Sequence, residues 1–455
     1  MKKDLLNEIK QLWEIKNLSA IRSLLLEENP VDIAETFEEL GEKVLPTIYR
    51  LLPKELAAEV FVELDGDAEE RLIHALSDKE LSETLSELFY DDTADLIEEM
   101  PAGVVKRILK NSSPSDRAEI NKLLKFKDDS AGSIMTTEFV GLKKEMTVGQ
   151  ALDYIRRVAL DKETIYNCYV TDETRRLEGL ITARVLLTSP TDHVIGDLME
   201  TNVISVKTTD DKEEVGRMLA KYDFLALPVV DSEERLVGIV TYDDAMDVIE
   251  EETTEDFEKM AAMLPNEKPY LKQSVWSIWK ARIPWLLLLM VSATFTGMII
   301  SSFEASLGIL PILTVFIPML MDTGGNSGSQ SSVTVIRALS LDELHFKDIF
   351  TVIWKEVRAA ALCAIALAAV CFGKVMLVDR LLMGNTSVTV LVDLTVCLTL
   401  AVTVIVAKVV GCSLPLIAKR FGFDPAVMAS PFITTIVDAM SLLLYFLFAK
   451  AILGV

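Results

Sequence analysis

At 455 residues, half of them hydrophobic, the chain is long enough for about three domains, and a formal net charge of −24 excludes a protein that grips nucleic acid through its phosphates. The acidity is confined to the front. Residues 281–455 carry 11 basic and 10 acidic side chains, so 34 of the chain's 45 basic and 59 of its 69 acidic residues lie in the first 280.

Residues 1–128 read as short amphipathic helices, with apolar positions spaced by three and four in Ile33-Phe37-Leu40, Leu56-Val60-Leu64 and Leu81-Leu85-Leu88. Breaks at Pro30, Gly41, Pro53, Asp65-Gly66 and Pro101 recur at short intervals, which predicts a superhelical stack of helix pairs. The start, Met1-Lys2-Lys3-Asp4, has no apolar core of signal-peptide type, so the acidic front is expected in the cytoplasm.

Residues 129–250 repeat internally. Ser130-Ala131-Gly132-Ser133-Ile134-Met135-Thr136-Thr137 returns as Val194-Ile195-Gly196-Asp197-Leu198-Met199-Glu200-Thr201, and Arg176-Leu177-Glu178-Gly179-Leu180-Ile181-Thr182 returns as Arg235-Leu236-Val237-Gly238-Ile239-Val240-Thr241. Each unit reads strand, helix, strand, turn, strand, helix. The two units resemble a tandem pair of CBS domains, which implies a regulatory α/β module open to a nucleotide such as ATP, or to ions. An Asp three residues after the last-strand Thr is the expected ribose ligand: the second unit has Asp244 there, but the first has Val185.

From Thr241 the chain leaves as an acidic connecting helix, assigned to 251–281. Nine acidic residues fall between Asp243 and Glu258 with no Lys or Arg, and Asp244, Asp247, Glu251, Glu255 and Glu258 share one stripe. Like charges at that spacing repel by a few tenths of a kcal/mol per pair, so something positive should face them, unless the run is a solvated linker.

Beyond it, Ile283 to Phe303 runs 21 residues without a formal charge, enough to cross a hydrocarbon core of about 30 Å. Five spans are expected at 282–302, 307–336, 353–378, 387–417 and 426–451. Lys280, Arg282, Arg337, Lys347, Lys419 and Arg420 flank the ends that would face inward, which puts the N-terminus inside and the C-terminus outside a cell membrane. The stretch Pro318 to Ser332 is too polar for lipid. Its Gly324, Gly325 and Gly328 permit close helix approach, and Asn326, Ser327 and Gln330 offer oxygens to a hydrated ion or to a neighbouring helix. Asp438 is the only formal charge between Pro425 and Ala449, with Ser430, Thr434, Thr435 and Ser441 around it; an unpaired carboxylate at mid-membrane marks function by default. Lys408, in the fourth span, reads as a side chain able to snorkel. The five cysteines show no paired spacing, so neither a disulfide framework nor a zinc site is expected, and His74, His193 and His345 support no enzymatic constellation.

The order of parts, the Pro318–Ser332 stretch and Phe432-Ile433-Thr434-Thr435-Ile436-Val437-Asp438 together resemble the MgtE family of magnesium channels over essentially the whole chain. The resemblance implies a multidomain fold: an α-helical superhelical N-terminal domain (1–128), the α/β tandem CBS pair (129–250), the connecting or plug helix (251–281) and an all-α transmembrane domain with five spans (282–455). It implies a homodimer with Mg2+ as both substrate and regulator. Matching regulatory residues are Glu59, Asp91, Asp95, Ser133 (through its carbonyl), Asp211, Glu213, Asp223, Asp244, Asp247, Glu252 and Glu255; the pore would be lined by Asn326, Ser430, Thr434 and Asp438. Ser430 and Lys408 depart from residues that other members carry. An ion-coupled secondary transporter of divalent cations, with Asp438 as carrier site, is the alternative.

Overall fold

A computed structural model describes residues 2–266, 270–428 and 430–454, leaving aside the side chains of residues 2, 3, 305 and 430. It divides into two compact units, Met1–Ile249 and Glu250–Val455.

The first unit opens with ten helices, from Lys2–Glu14 to Pro114–Leu123, among the described residues. Four of the five breaks read from the sequence are helix starts, while Gly41 lies four residues ahead of Leu45–Tyr49. Pro30 is the first helical residue behind the Asn29 cap, Pro53 and Pro101 precede Lys54–Val62 and Ala102–Asn111, and the Asp65 side chain accepts from the Ala68 amide. Proline is tolerated there because its fixed φ suits the first turn and its missing N–H has no partner to lose. Helices contact the next but one along the chain: Lys2–Glu14 with Pro30–Glu38, that with Lys54–Val62, then Asp78–Leu85 and Ala102–Asn111. This is the alternating contact pattern of stacked helix pairs, and Ile9, Ile33, Phe37, Phe61, Leu72 and Ile108 bury the shared core.

The repeat follows as two three-stranded sheets of identical order. In the first, β1 (Phe139–Leu142) runs parallel to β2 (Thr164–Thr171), which pairs antiparallel with β3 (Leu177–Thr182). In the second, β4 (Val206–Lys207), β5 (Ala226–Val230) and β6 (Leu236–Thr241) repeat the arrangement. The opening segment of each repeat crosses to the other sheet: Thr136 bridges Ile239, and Glu200 bridges Leu180. Matched glycines admit the crossing. A Cβ on Gly238 would lie 2.7 Å from the Met135 sulfur, and one on Gly179 would lie 2.6 Å from that of Met199.

The acidic helix spans Tyr242–Met260, so its last turns lie in the second unit. The expected continuous helix over 251–281 is not present. The chain breaks after Met260, with Ala262 left-handed at φ 54° and Pro265 close behind, and the first long apolar helix, Val275–Ser302, starts at the Ser274 cap, well ahead of position 282. Among the described residues, four helices are long and apolar enough to cross a membrane: Val275–Ser302, Phe346–Leu382, Val390–Arg420 and Ala426–Leu453. The second expected span forms a different element. Short turns at Glu304–Ile309 and Pro311–Phe316 lead into a glycine-rich helix, Ile317–Ser340, which is long but too polar to belong with those four. It packs most extensively on Val390–Arg420 and Ser430–Leu453. The approach is closest where a methyl group on Gly411 would collide with the Gly328 carbonyl. A helix lined with Gly324, Gly325 and Gly328 can lie backbone to backbone against its neighbours, which holds its polar side chains inside the bundle.

Candidate cation sites

Carboxylates from five chain segments converge in the first unit. Helix Tyr90–Glu99 carries Asp91 and Asp92 in its first turn and Asp95 in the next, and the opening turns of Tyr242–Met260 carry Asp243, Asp244 and Asp247. Glu138 and Glu163 stand just before β1 and β2, linked by the Glu163 amide donating to the Glu138 carbonyl at 2.9 Å. The Glu138 carboxylate accepts from the Tyr90 amide at 3.2 Å, which caps a helix whose own cap residue, Phe89, has no side-chain acceptor. Glu63 lies in the field of Asp247.

Burial and mutual repulsion govern this group. Asp91 Oδ1 is buried with no hydrogen-bond partner among the described residues, and burial, then Asp92 and Asp244, raise its pKa well above the usual carboxylate range. Burial followed by Asp244 pushes Asp92 up to about 6 and Glu163 up to about 7; burial followed by Glu98 pushes Asp95 up to about 7. Asp244 is raised by burial although Thr241 Oγ1 donates to it at 2.6 Å. Such a cluster lowers its energy by binding protons or a multivalent cation.

The sign of the pH dependence follows. Free carboxylates titrate near about 4, whereas Asp92, Asp95, Glu163 and also Glu69, at about 8, titrate higher in the folded chain. Between those limits the native state binds more protons than the unfolded one, so stability declines as pH rises. In chelator the melting temperature of the full chain is expected to fall steadily from pH 5 to pH 8. A flat or rising profile in differential scanning fluorimetry would mean that bases already neutralise the cluster.

The residues expected from the sequence separate into two groups. Asp91, Asp95, Asp244 and Asp247 belong to the cluster, while Asp92, Glu138, Glu163, Asp243 and Glu63 were not singled out. Glu59 is exposed on Lys54–Val62, one turn before Glu63. Ser133, Asp211, Glu213 and Asp223 have local structural partners. Ser133 Oγ donates to the Ser130 carbonyl, Asp211 caps helix Lys212–Tyr222, Glu213 pairs with Arg217 at 2.6 Å, and Asp223 ends that helix in the left-handed region. In the second unit Glu252 is half-buried, and Glu255 accepts Lys259 at 2.6 Å. The same Lys259 reaches Asp424 at 2.7 Å, and Asp256 accepts the Ser340 hydroxyl at 2.9 Å. Within the acidic stripe, Glu255 thus has its positive partner on its own helix, and Lys259 also ties the last turn of that helix to Asp424, ahead of the Asp438 segment.

The second site is a cavity of about 440 Å3 between the glycine-rich helix and Ser430–Leu453, lined by Ile317, Pro318, Met321, Asp322, Gly325, Asn326, Thr434 and Asp438. Asp322 was not singled out, although it is the only formal charge between Pro318 and Ser332. A Cβ on Gly325 would lie 3.7 Å from Asp438 Oδ1, so the missing side chain leaves room in front of the carboxylate. Thr434 Oγ1 donates to the Pro431 carbonyl at 2.9 Å, leaving its lone pairs to accept. The Ser430 side chain lies outside the described residues. Lys408 does not snorkel: it is 8% exposed, with Nζ 3.9 Å from Glu356 Oε2, which also accepts from Ser331. A buried ammonium needs such a partner.

Family models match three parts of the chain: a divalent cation transporter over residues 317–448, the MgtE intracellular N domain over 28–129, and CBS domains over 131–190 and 195–251. The chain is 35% identical to the magnesium transporter MgtE of Thermus thermophilus across 95% of both proteins, and 34% identical to that of Bacillus subtilis across 94% of this chain and 93% of the other. Among solved structures it is similar to the cytosolic domain of the Mg2+ channel MgtE in complex with ATP, at TM-score 0.51 and 38% identity, covering 53% of this chain and 99% of that one. The soluble part of a magnesium transporter aligns at TM-score 0.52 and 31% identity, over 55% and 99%.

Proposed function

The chain belongs to the MgtE family of divalent cation transporters, and from that premise we propose that it is a magnesium channel, which imports Mg2+ down its electrochemical gradient and is closed by cytoplasmic Mg2+. The observation that carries the reading is the cavity in which Asp438 and Asp322 stand with Asn326 and Thr434. Mg2+ sheds water reluctantly and is commonly held by one or two carboxylates with several waters retained. Six waters occupy about 180 Å3 at liquid density, which fits within the cavity of about 440 Å3. In the proposed homodimer two copies of Asp438 face one another in a five-span pore, with the N-terminus in the cytoplasm and the C-terminus outside. The four domains follow the boundaries 1–128, 129–250, 251–281 and 282–455, with the acidic helix ending at Met260 inside the third. No chemical conversion of a substrate is involved.

Regulation rests on the crowded carboxylates of the first unit. Without cations, Asp91, Asp92, Asp95, Glu163, Asp244 and Asp247 repel; Mg2+ relieves the repulsion and holds together the segments that carry them. Glu59, Ser133, Asp211, Glu213, Asp223, Glu252 and Glu255 extend this regulatory set. Helix Tyr242–Met260 bears Asp244 and Asp247 at its start and the Asp424 and Ser340 contacts at its end, so it is the element through which occupancy reaches the membrane part. ATP would bind at the second CBS unit, where Asp244 follows Thr241; Val185 offers the first unit no matching carboxylate.

The test is Mg2+ entry into proteoliposomes of purified protein, with internal Mg2+ either near zero or several-fold above cellular levels and no other ion gradient. Entry is expected only at low internal Mg2+. Entry that begins only when a proton or sodium gradient is imposed would replace the channel with a coupled transporter using Asp438 as carrier.

A further inference from the structure

The cysteines without paired spacing are partly paired in space. Among the described residues, Cys371, Asp393 and Cys397 form a group whose ligand atoms all lie within 4.8 Å of one another. Cys371 lies in the last turn of helix Ile349–Lys374, while Asp393 and Cys397, four apart, occupy one face of Val390–Arg420. The packing of those two helices joins them. All three are buried, Asp393 completely, in a wall that includes Val375, Val392, Val396 and Leu400.

The polar bookkeeping here is incomplete. Cys397 Sγ donates to Asp393 Oδ1 at 3.4 Å, but Asp393 Oδ2 has no hydrogen-bond partner among the described residues and is fully enclosed. A thiol is a weak donor, and an unsatisfied carboxylate oxygen in an apolar wall is costly. The geometry suits an ion. Metal–sulfur bonds of about 2.3 Å and metal–oxygen bonds of about 2.0 Å at a tetrahedral angle set a sulfur-to-oxygen edge of about 3.5 Å, close to the 3.4 Å observed.

We propose that Cys371, Asp393 and Cys397 form a binding site for a thiophilic divalent ion of the zinc and cadmium class. Binding releases the two thiol protons, so that two thiolates and one carboxylate hold the ion and water completes its coordination. The resulting site carries one net negative charge; Lys374, one turn beyond Cys371 and paired with Asp379 at 2.8 Å, stands beside it. Two sulfur ligands select against Mg2+, a hard ion that prefers oxygen. None of the three residues lines the Asp438 cavity, so the bound ion is a resident of the helix pair rather than cargo, and the site stands whether or not the channel reading does.

The test uses full-length protein purified in detergent with a phosphine reductant, titrated with Cd2+ in excess Mg2+. One equivalent of Cd2+ per chain is expected, with a sulfur-to-cadmium charge-transfer band. Cys371→Ser and Cys397→Ser, close in size to the originals, should each abolish the band and elute as folded protein in size-exclusion chromatography, whereas Cys363→Ala, at an exposed thiol, should leave it intact. Asp393→Asn should weaken the affinity by about tenfold or more. Zn2+ should raise the melting temperature of the wild type and not of Cys371→Ser. A band that survives in the Cys371→Ser/Cys397→Ser double variant, or no uptake above that variant, overturns the site. So does a Cys371–Cys397 disulfide in freshly extracted protein.

Discussion

Asp438→Asn is expected to abolish Mg2+ entry into proteoliposomes while leaving the protein folded. The amide matches the carboxylate in size, so Gly325 and Thr434 keep their contacts with the helix. What disappears is one negative charge per chain, two at the proposed dimer axis, at the point where a dication must be drawn from water into the bundle. Each lost 1.4 kcal/mol of ion stabilisation is a factor of ten, and two missing charges in a partly dehydrated site remove several such units, so flux should fall by more than about a hundredfold. Stability should move the other way. An unpaired carboxylate at membrane depth costs about 2.5 to 3.5 kcal/mol on insertion scales, and the amide relieves that cost. A melting temperature at or above that of the wild type with no flux assigns Asp438 to the ion path. Wild-type flux removes it from the path and leaves Asp322 as the carboxylate to test.

What could be read in the sequence depended on how far apart the interacting residues lie along the chain. Helix starts at Pro30, Pro53, Asp65 and Pro101 were legible because capping and proline rules act within four residues. The tandem repeat gave both three-stranded sheets. The crossing of Thr136 to Ile239 and of Glu200 to Leu180 was not legible, since periodicity shows equivalence and not which copy a segment joins. The lone Asp438 was visible because hydropathy isolates a charge in an apolar run. Asp322 was overlooked within a stretch already polar enough to be noted for its glycines. Glu138 and Glu163 follow no charge pattern, and they meet Asp91 and Asp244 only after the helical stack and the first sheet are assembled. The same limit applies to Lys408 and Glu356, and to Cys371 and Cys397: each pair lies on two different helices, and only their packing brings it together. The continuous helix expected over 251–281 failed for a local reason, because a strong charge pattern outweighed the stop signal at Pro265.

The triple variant Asp91→Asn/Asp244→Asn/Asp247→Asn is expected to keep conducting at internal Mg2+ concentrations that close the wild type. Moving a two-state gate from 1:99 to 99:1 requires about 5.5 kcal/mol of differential affinity. In this chain that energy is proposed to come from cations that relieve a repulsion already present, with Asp91 and Asp244 at its centre. Neutralising three of the carboxylates removes both the repulsion and the ligands. The variant should therefore melt at a higher temperature than the wild type in chelator, unlike most core substitutions, and gain little on adding Mg2+. Glu233→Gln is the comparison, because Glu233 is paired with Arg235 in a separate, exposed contact. It should leave the Mg2+-dependent rise in melting temperature unchanged. If the triple variant still closes at the wild-type concentration, the acidic cluster does not work the gate and the sensor lies elsewhere. If it stays open and gains no stability in chelator, the carboxylates bind Mg2+ but their repulsion does not drive the gate.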